Sequence, residues 1–167
     1  MKNRINKEQW IAMFQELGVS VVDAQGGALR EVLKVGPGLV KPNRAELSVA
    51  VGRALLDDTA VRQAMRELAE RGAQRVIVTA GKEPALAFDG RCFWRILAAR
   101  IQAVNLIGSG DAFTVGLVWR LVQGDDRGEV CRWGSAAGTA NALTAMAGEV
   151  NREDVDRLAA EVVVQRL

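Results

Sequence analysis

A carboxylate stands where backbone amides gather to hold an anion. Residues 105–113 run NLIGSGDAF, with Gly108, Ser109 and Gly110 leading into Asp111 at the mouth of an apolar, helix-like stretch. Glycines ahead of a helix make an anion site because first-turn N–H groups lack intrahelical partners, the helix dipole adds positive potential, and glycine admits close approach. A carboxylate aimed at the same point as a phosphate is repelled unless it has a task there. That task would be to accept a proton from a hydroxyl as the hydroxyl attacks phosphorus. The plainer alternative is a loop whose aspartate caps a helix, and these residues alone leave the two open.

Three other stretches carry similar pairs of readings. In NRAE, Asn43 and Glu46 lie three apart and share a face if a helix starts at Asn43. They form a capping box, or they hold the water shell of Mg²⁺, an ion that prefers oxygen ligands and keeps several waters. VTAG ends an apolar run on Thr79 and Gly81, which a parallel sheet would put at its carboxyl edge, where ligands bind; an ordinary strand-to-loop transition reads the same way. SAAGTANALTAMAG, residues 135–148, leaves one helix side nearly bare. Close helix packing explains most of it, and a flat adenine resting on that small-residue face is the sharper alternative. Lys41, read alone, is a solvated lysine.

The elements that must position these residues follow from periodicity. Asn6 caps a helix with Trp10, Met13, Phe14 and Leu17 on one face before Gly18. VSVVD (19–23) is a short apolar run of the kind that makes a buried parallel strand. A brief helix over 26–34 ends at the GPG of 36–38, and LVK (39–41) enters a turn at Pro42. Asp58 and Thr59 cap a second helix with Val61, Met65, Leu68 and Ala69 inward, closed by Gly72. RVIVTAG (75–81) is another buried strand, and Asp89-Gly90 between two strand-like runs signals a hairpin. Helices are expected from Ser109 to Leu121, from about Glu129 to Met146, and after an Asn151 cap with Asp154 in the first turn. This order gives a single α/β layered domain over 1–167.

Composition excludes several classes. The 22 basic residues exceed the 20 acidic ones by only two and are scattered along the chain, so charge does not imply nucleic acid. There is no histidine, and Cys92 and Cys131 lie far apart, which removes zinc sites and histidine-based nucleophilic catalysis. No apolar run reaches the roughly 18 residues that a membrane span requires, so a cytoplasmic protein is expected.

Taken together and in order, KPNRAEL, VIVTAG and NLIGSGDAF resemble the PfkB/ribokinase superfamily of carbohydrate kinases. GSGD is similar to that family's signature loop, NRAE to its NxxE motif, and ANAL lies where its adenine-side helix would be. Asn105 with GSGD and a preceding KPN is more like the fructose-1-phosphate and tagatose-6-phosphate kinases, as is VVDAQGGAL (21–29). The resemblance implies a Rossmann-like ribokinase fold, here the carboxyl-terminal part of a mostly parallel sheet flanked by helices, with the amino-terminal part and lid absent. It implies ATP-dependent phosphoryl transfer to a sugar phosphate hydroxyl, with ATP and Mg²⁺ as cofactors. Asp111 matches the catalytic base, and the amides of Gly108, Ser109 and Gly110 match the anion hole. Asn43 and Glu46 match positions that organise Mg²⁺ through water, and Lys41, Thr79, Gly81, Ala137 and Asn141 fall at cofactor-binding positions. The expected partners are ATP and a sugar or sugar phosphate, with a homo-oligomer or a separate amino-terminal half completing the site; neither nucleic acid nor a membrane is expected. The alternative is a truncated, non-catalytic nucleotide-binding or interaction module of the same fold.

Overall fold

The computed structural model describes residues 20–167; the helix expected from Asn6 lies outside them. The described residues fall into two compact units, one holding residues up to Val78 with Phe88–Cys92, the other holding Thr79–Ala87 with Phe93–Leu167.

The first unit repeats a strand–helix–strand rhythm. It contains β1 (Val21–Val22), α1 (Gly26–Leu33), β2 (Leu39–Val40), α2 (Arg44–Val51) and α3 (Asp58–Glu70), and it begins β3 (Val76–Ala80). A crossover helix returns the chain in the direction it left, so β1 pairs parallel with β2 (Val21 with Leu39, Val22 with Val40) and β2 with β3 (Val40 with Val76). The amides of Leu39 and Lys41 donate to the carbonyls of Ser20 (2.8 Å) and Val22 (3.0 Å). The strands show no polar alternation because both faces are covered, and Val40 and Val76 are fully buried. Leu29 and Leu33 recur at i and i+4 on α1, and Val61, Met65 and Leu68 on α3; all are buried, each contributing about 1.5–3 kcal/mol of transfer free energy. Ala69 is only half-buried, and Ala64 takes the inward position instead. The cap of α3 is Asp57 rather than Asp58: its side chain accepts from the Ala60 amide, which places Asp58 and Thr59 inside the first turn.

The second unit holds β4 (Glu83–Phe88) apart from Phe88, β5 (Phe93–Leu97), α4 (Ser109–Leu121), α5 (Arg127–Asn141), α6 (Arg152–Glu161) and β6 (Val163–Arg166). Hydrogen-bonded strand order follows sequence order from β1 to β6, a mixed α/β sheet with helices. The expected hairpin forms, with the Asp89 side chain accepting from the amides of Arg91 (2.9 Å) and Cys92 (2.7 Å). The carboxyl-terminal strand β6 was not foreseen; it runs antiparallel to β5, pairing Leu97 with Val163 and Ile96 with Val164. Arg132 sets up the switch from α6 to β6 by donating to the carbonyls of Ala159 (3.3 Å) and Val162 (2.5 Å).

Helices α4 and α5 approach almost backbone to backbone. A Cβ added at Gly116 would lie 2.6 Å from the Trp133 carbonyl oxygen and 2.7 Å from the Ala137 Cβ, and one at Gly138 would lie 2.9 Å from the Ser109 carbonyl oxygen. Phe113 fills the remaining gap, 3.0 Å from a Cβ built at Gly134. The small residues of 135–148 therefore serve close packing where they are helical. The helix itself is shifted: Asp126 caps it through the amides of Gly128 and Glu129, and it ends at Asn141 rather than Met146. Beyond that point the carbonyls of Ala142 and Ala145 accept from residues 104 and 105 instead of from a further helical turn.

Gly116→Ala should force these helices apart and destabilise the protein by about 1–3 kcal/mol, the usual scale for overpacking. A urea-unfolding midpoint equal to that of the parent would show that the interface yields freely.

Candidate active site

The loop ahead of α4 is built from short-range turns and a few long-range bonds. The amides of Val104 and Asn105 donate to the Ala142 carbonyl (2.7 and 3.3 Å), and Asn105 Nδ2 donates to the Ala145 carbonyl (3.0 Å). Asn105 Oδ1 accepts from the Ile107 amide (3.0 Å), an Asx turn that aims the chain at Gly108. Gly108 is the helix cap, in the left-handed region at φ 85, ψ −7, and it has no side chain to cap with. A Cβ there would lie 2.6 Å from the Gly148 amide nitrogen and 3.2 Å from Asn141 Oδ1, so close approach and backbone conformation both require glycine.

Asp111 sits in the first turn of α4 and does not cap it. Its side chain is exposed, and among the described residues no hydrogen bond or ion pair engages it. The helix-cap alternative for this aspartate is thereby removed. Of the amides expected to form an anion hole, that of Ser109 donates weakly to the Leu106 carbonyl (3.3 Å). The amides of Gly110 and Asp111 have no backbone partner among the described residues, and the helix dipole leaves positive potential at that end.

Ala137 and Asn141, expected beside an adenine, are buried at 5% and 0% exposure. Ala137 faces Gly116, and the Asn141 carboxamide is hydrogen-bonded on both ends within the protein. Neither side chain is presented for direct contact, because helix packing has filled the face that the sequence left bare. Thr79 is half-buried near the end of β3, and Gly81, exposed with φ 61, opens the two-residue turn into β4.

In the first unit, Lys41 is not solvated. It is 3% exposed, and its Nζ lies 2.8 Å from Asp23 Oδ2 just beyond the carboxyl ends of β2 and β1. Asp23 shows in the sequence only as the end of an apolar run; it lies eighteen positions before Lys41, and only the parallel pairing of β1 with β2 joins them. Asn43 and Glu46 form the full capping box: Asn43 Oδ1 accepts from the Glu46 amide (2.9 Å), and Glu46 Oε2 accepts from the Asn43 amide (2.8 Å). Glu46 Oε1 takes no part in it. No group of three metal-ligating side chains occurs among the described residues. Burial, with Asp126 nearby, pushes the Cys131 thiol up to about 12.

The profile of the pfkB family carbohydrate kinases matches residues 6–153. The chain belongs to this family. It is 32% identical over 153 residues to the ATP-dependent 6-phosphofructokinase isozyme 2 of Escherichia coli K12, an alignment covering 90% of this chain and 50% of that protein. Phosphofructokinase-2 from Escherichia coli in complex with potassium superposes with a TM-score of 0.84 at 31% identity, covering 93% of this chain and 51% of that one. The same enzyme in complex with fructose-6-phosphate gives 0.80 at 29%, covering 94% and 52%. The chain therefore spans about half the length of the relatives it matches, and the ribokinase-like fold expected from its motifs is shown. No helix among the described residues is long and apolar enough to cross a membrane.

Removing Asp23 strands a buried cation. Asp23→Ala should destabilise the protein by about 2 kcal/mol, below the scale of a fully buried pair because Asp23 is itself partly exposed. Chemical unfolding checks this, and a loss under a few tenths of a kcal/mol would mean that water reaches Lys41.

Proposed function

We propose that this chain carries the phosphate-handling part of a kinase that transfers the terminal phosphoryl group of ATP to a hydroxyl of a sugar phosphate. The observation that carries the reading is the unpaired Asp111 carboxylate beside open first-turn amides. The amides of Gly110 and Asp111, with Gly108 and Ser109 shaping the loop, would stabilise charge on the transferred group. Asp111 would take the proton of the attacking hydroxyl as the new O–P bond forms and the bond to ADP breaks. Asn43 and Glu46 would hold Mg²⁺ through water, and the ion would supply charge neutralisation on the phosphates. Lys41, Thr79 and Gly81 are proposed to line the nucleotide side.

Relatives named as phosphofructokinases bring fructose 6-phosphate into the acceptor class, alongside the fructose 1-phosphate and tagatose 6-phosphate suggested by KPN and Asn105. A second copy of the chain or a separate amino-terminal half is proposed to supply acceptor contacts.

ADP release from Mg-ATP across these three acceptors and free hexoses tests the reading. The parent should release ADP with one sugar phosphate, and Asp111→Asn should cut turnover by about 10²–10⁴ while leaving ATP affinity unchanged. Full activity in Asp111→Asn would remove Asp111 as the base. Neither ADP with any acceptor nor a rise in melting temperature with Mg-ATP would count against nucleotide chemistry altogether.

A further inference from the structure

Gly108 poses a problem that its own loop does not solve. Glycine populates left-handed and right-handed conformations about equally, and the cap of α4 lacks a side-chain bond. A change of φ at Gly108 would swing the first turn, with Asp111 three residues on. Something outside residues 108–111 has to hold that conformation.

The Asn141 carboxamide brackets the glycine from both sides. Its Nδ2 donates to the Ile107 carbonyl (2.9 Å), immediately before Gly108, and to Ser109 Oγ (3.1 Å), immediately after it. Its Oδ1 accepts from the Gly148 amide (2.7 Å), which belongs to the turn that packs against Gly108. Asn141 is fully buried in the last turn of α5, so its position is set by the α4–α5 interface and not by solvent. Both amide hydrogens and one oxygen lone pair are engaged, and only an asparagine of this length presents two donors and an acceptor in that arrangement.

We propose that Asn141 is the positioning residue for Asp111, locking Gly108 in its left-handed conformation so that the carboxylate and the open amides share one aim. It touches no substrate in this role. The kinetic part rests on the phosphoryl-transfer reading; the structural part does not.

The test uses Asn141→Asp, which keeps the shape and the acceptor for Gly148 but replaces both donors, with Ser109→Ala as a milder variant that deletes a single bond. Amide hydrogen exchange is read at Ser109 and Ala112, the amides bonded to the carbonyls of Leu106 and Gly108 (3.3 and 2.9 Å), in the middle of α5 and in β5 and β6, and steady-state kinetics are run beside it. In Asn141→Asp, exchange at Ser109 and Ala112 should accelerate tenfold or more while β5, β6 and the middle of α5 keep the parent's protection. In Ser109→Ala it should accelerate at the same residues by less. Turnover in Asn141→Asp should fall by about 10², the scale of a small misplacement, with KM for Mg-ATP little changed. Parent-like exchange at Ser109 and Ala112 in both variants would overturn the proposal, as would loosening spread evenly over β5, β6 and α5, which marks a merely structural amide. If Asn141→Asp fails to fold, the exchange pattern of Ser109→Ala decides. If the parent releases no ADP with any acceptor, the kinase reading falls, and the exchange pattern alone decides whether Asn141 holds the loop.

Discussion

The geometry at Asp111 depends on a hydrogen-bonded amide that solvent never reaches. Asn141 reaches across from α5 to the residues on either side of Gly108, and Gly148 closes the bracket from behind. The bracket can form because α4 and α5 lie closer than side chains would permit, with Gly116, Gly134 and Gly138 at the contact. Protein interiors at this density do not deform continuously, so a small spreading of the helices would reach the loop directly. The exposed, chemically available end of α4 is thus an extension of the most tightly packed interface in the second unit.

The first unit solves a different problem, that of keeping charge at the carboxyl ends of buried strands. Lys41 follows β2 into the interior, where an unpaired ammonium would carry a large desolvation penalty; Asp23 meets it at 2.8 Å. Immediately afterwards, Asn43 and Glu46 close a capping box that starts α2. Capping and ion binding through water are compatible at this position, because the box occupies one carboxylate oxygen of Glu46 and leaves the other open.

Signals that act over a few residues were legible in the sequence. Asn43 and Asn151 cap the helices where expected, the Asp89-Gly90 turn joins two strands, and the apolar runs at 21–22, 39–40 and 76–80 are strands. The departures share one cause. Helix α5 stops at Asn141 because the next carbonyls are taken by residues 104 and 105, some forty positions earlier in the chain. Residues 163–166 pair as a strand because the edge of β5 receives them, whereas locally they extend the apolar pattern of α6. The cap of α3 moved by one residue, a choice between adjacent aspartates that differ only in which one reaches the Ala60 amide.

By itself the sequence determined the chemical inventory and its order: a glycine-bounded carboxylate, an Asn–Glu pair at capping distance, strand ends carrying threonine, lysine and aspartate, and no histidine. Those motifs are local in the chain, so their types and spacing are sufficient to name the family. The tertiary structure decided which of these groups remain available. Packing of α4 on α5 buried Ala137 and Asn141 and left Asp111 exposed; parallel pairing of β1 with β2 turned Lys41 from a surface cation into half of an ion pair. Availability is a matter of what covers a side chain, and the covering atoms come from residues far away in sequence, which no local pattern encodes.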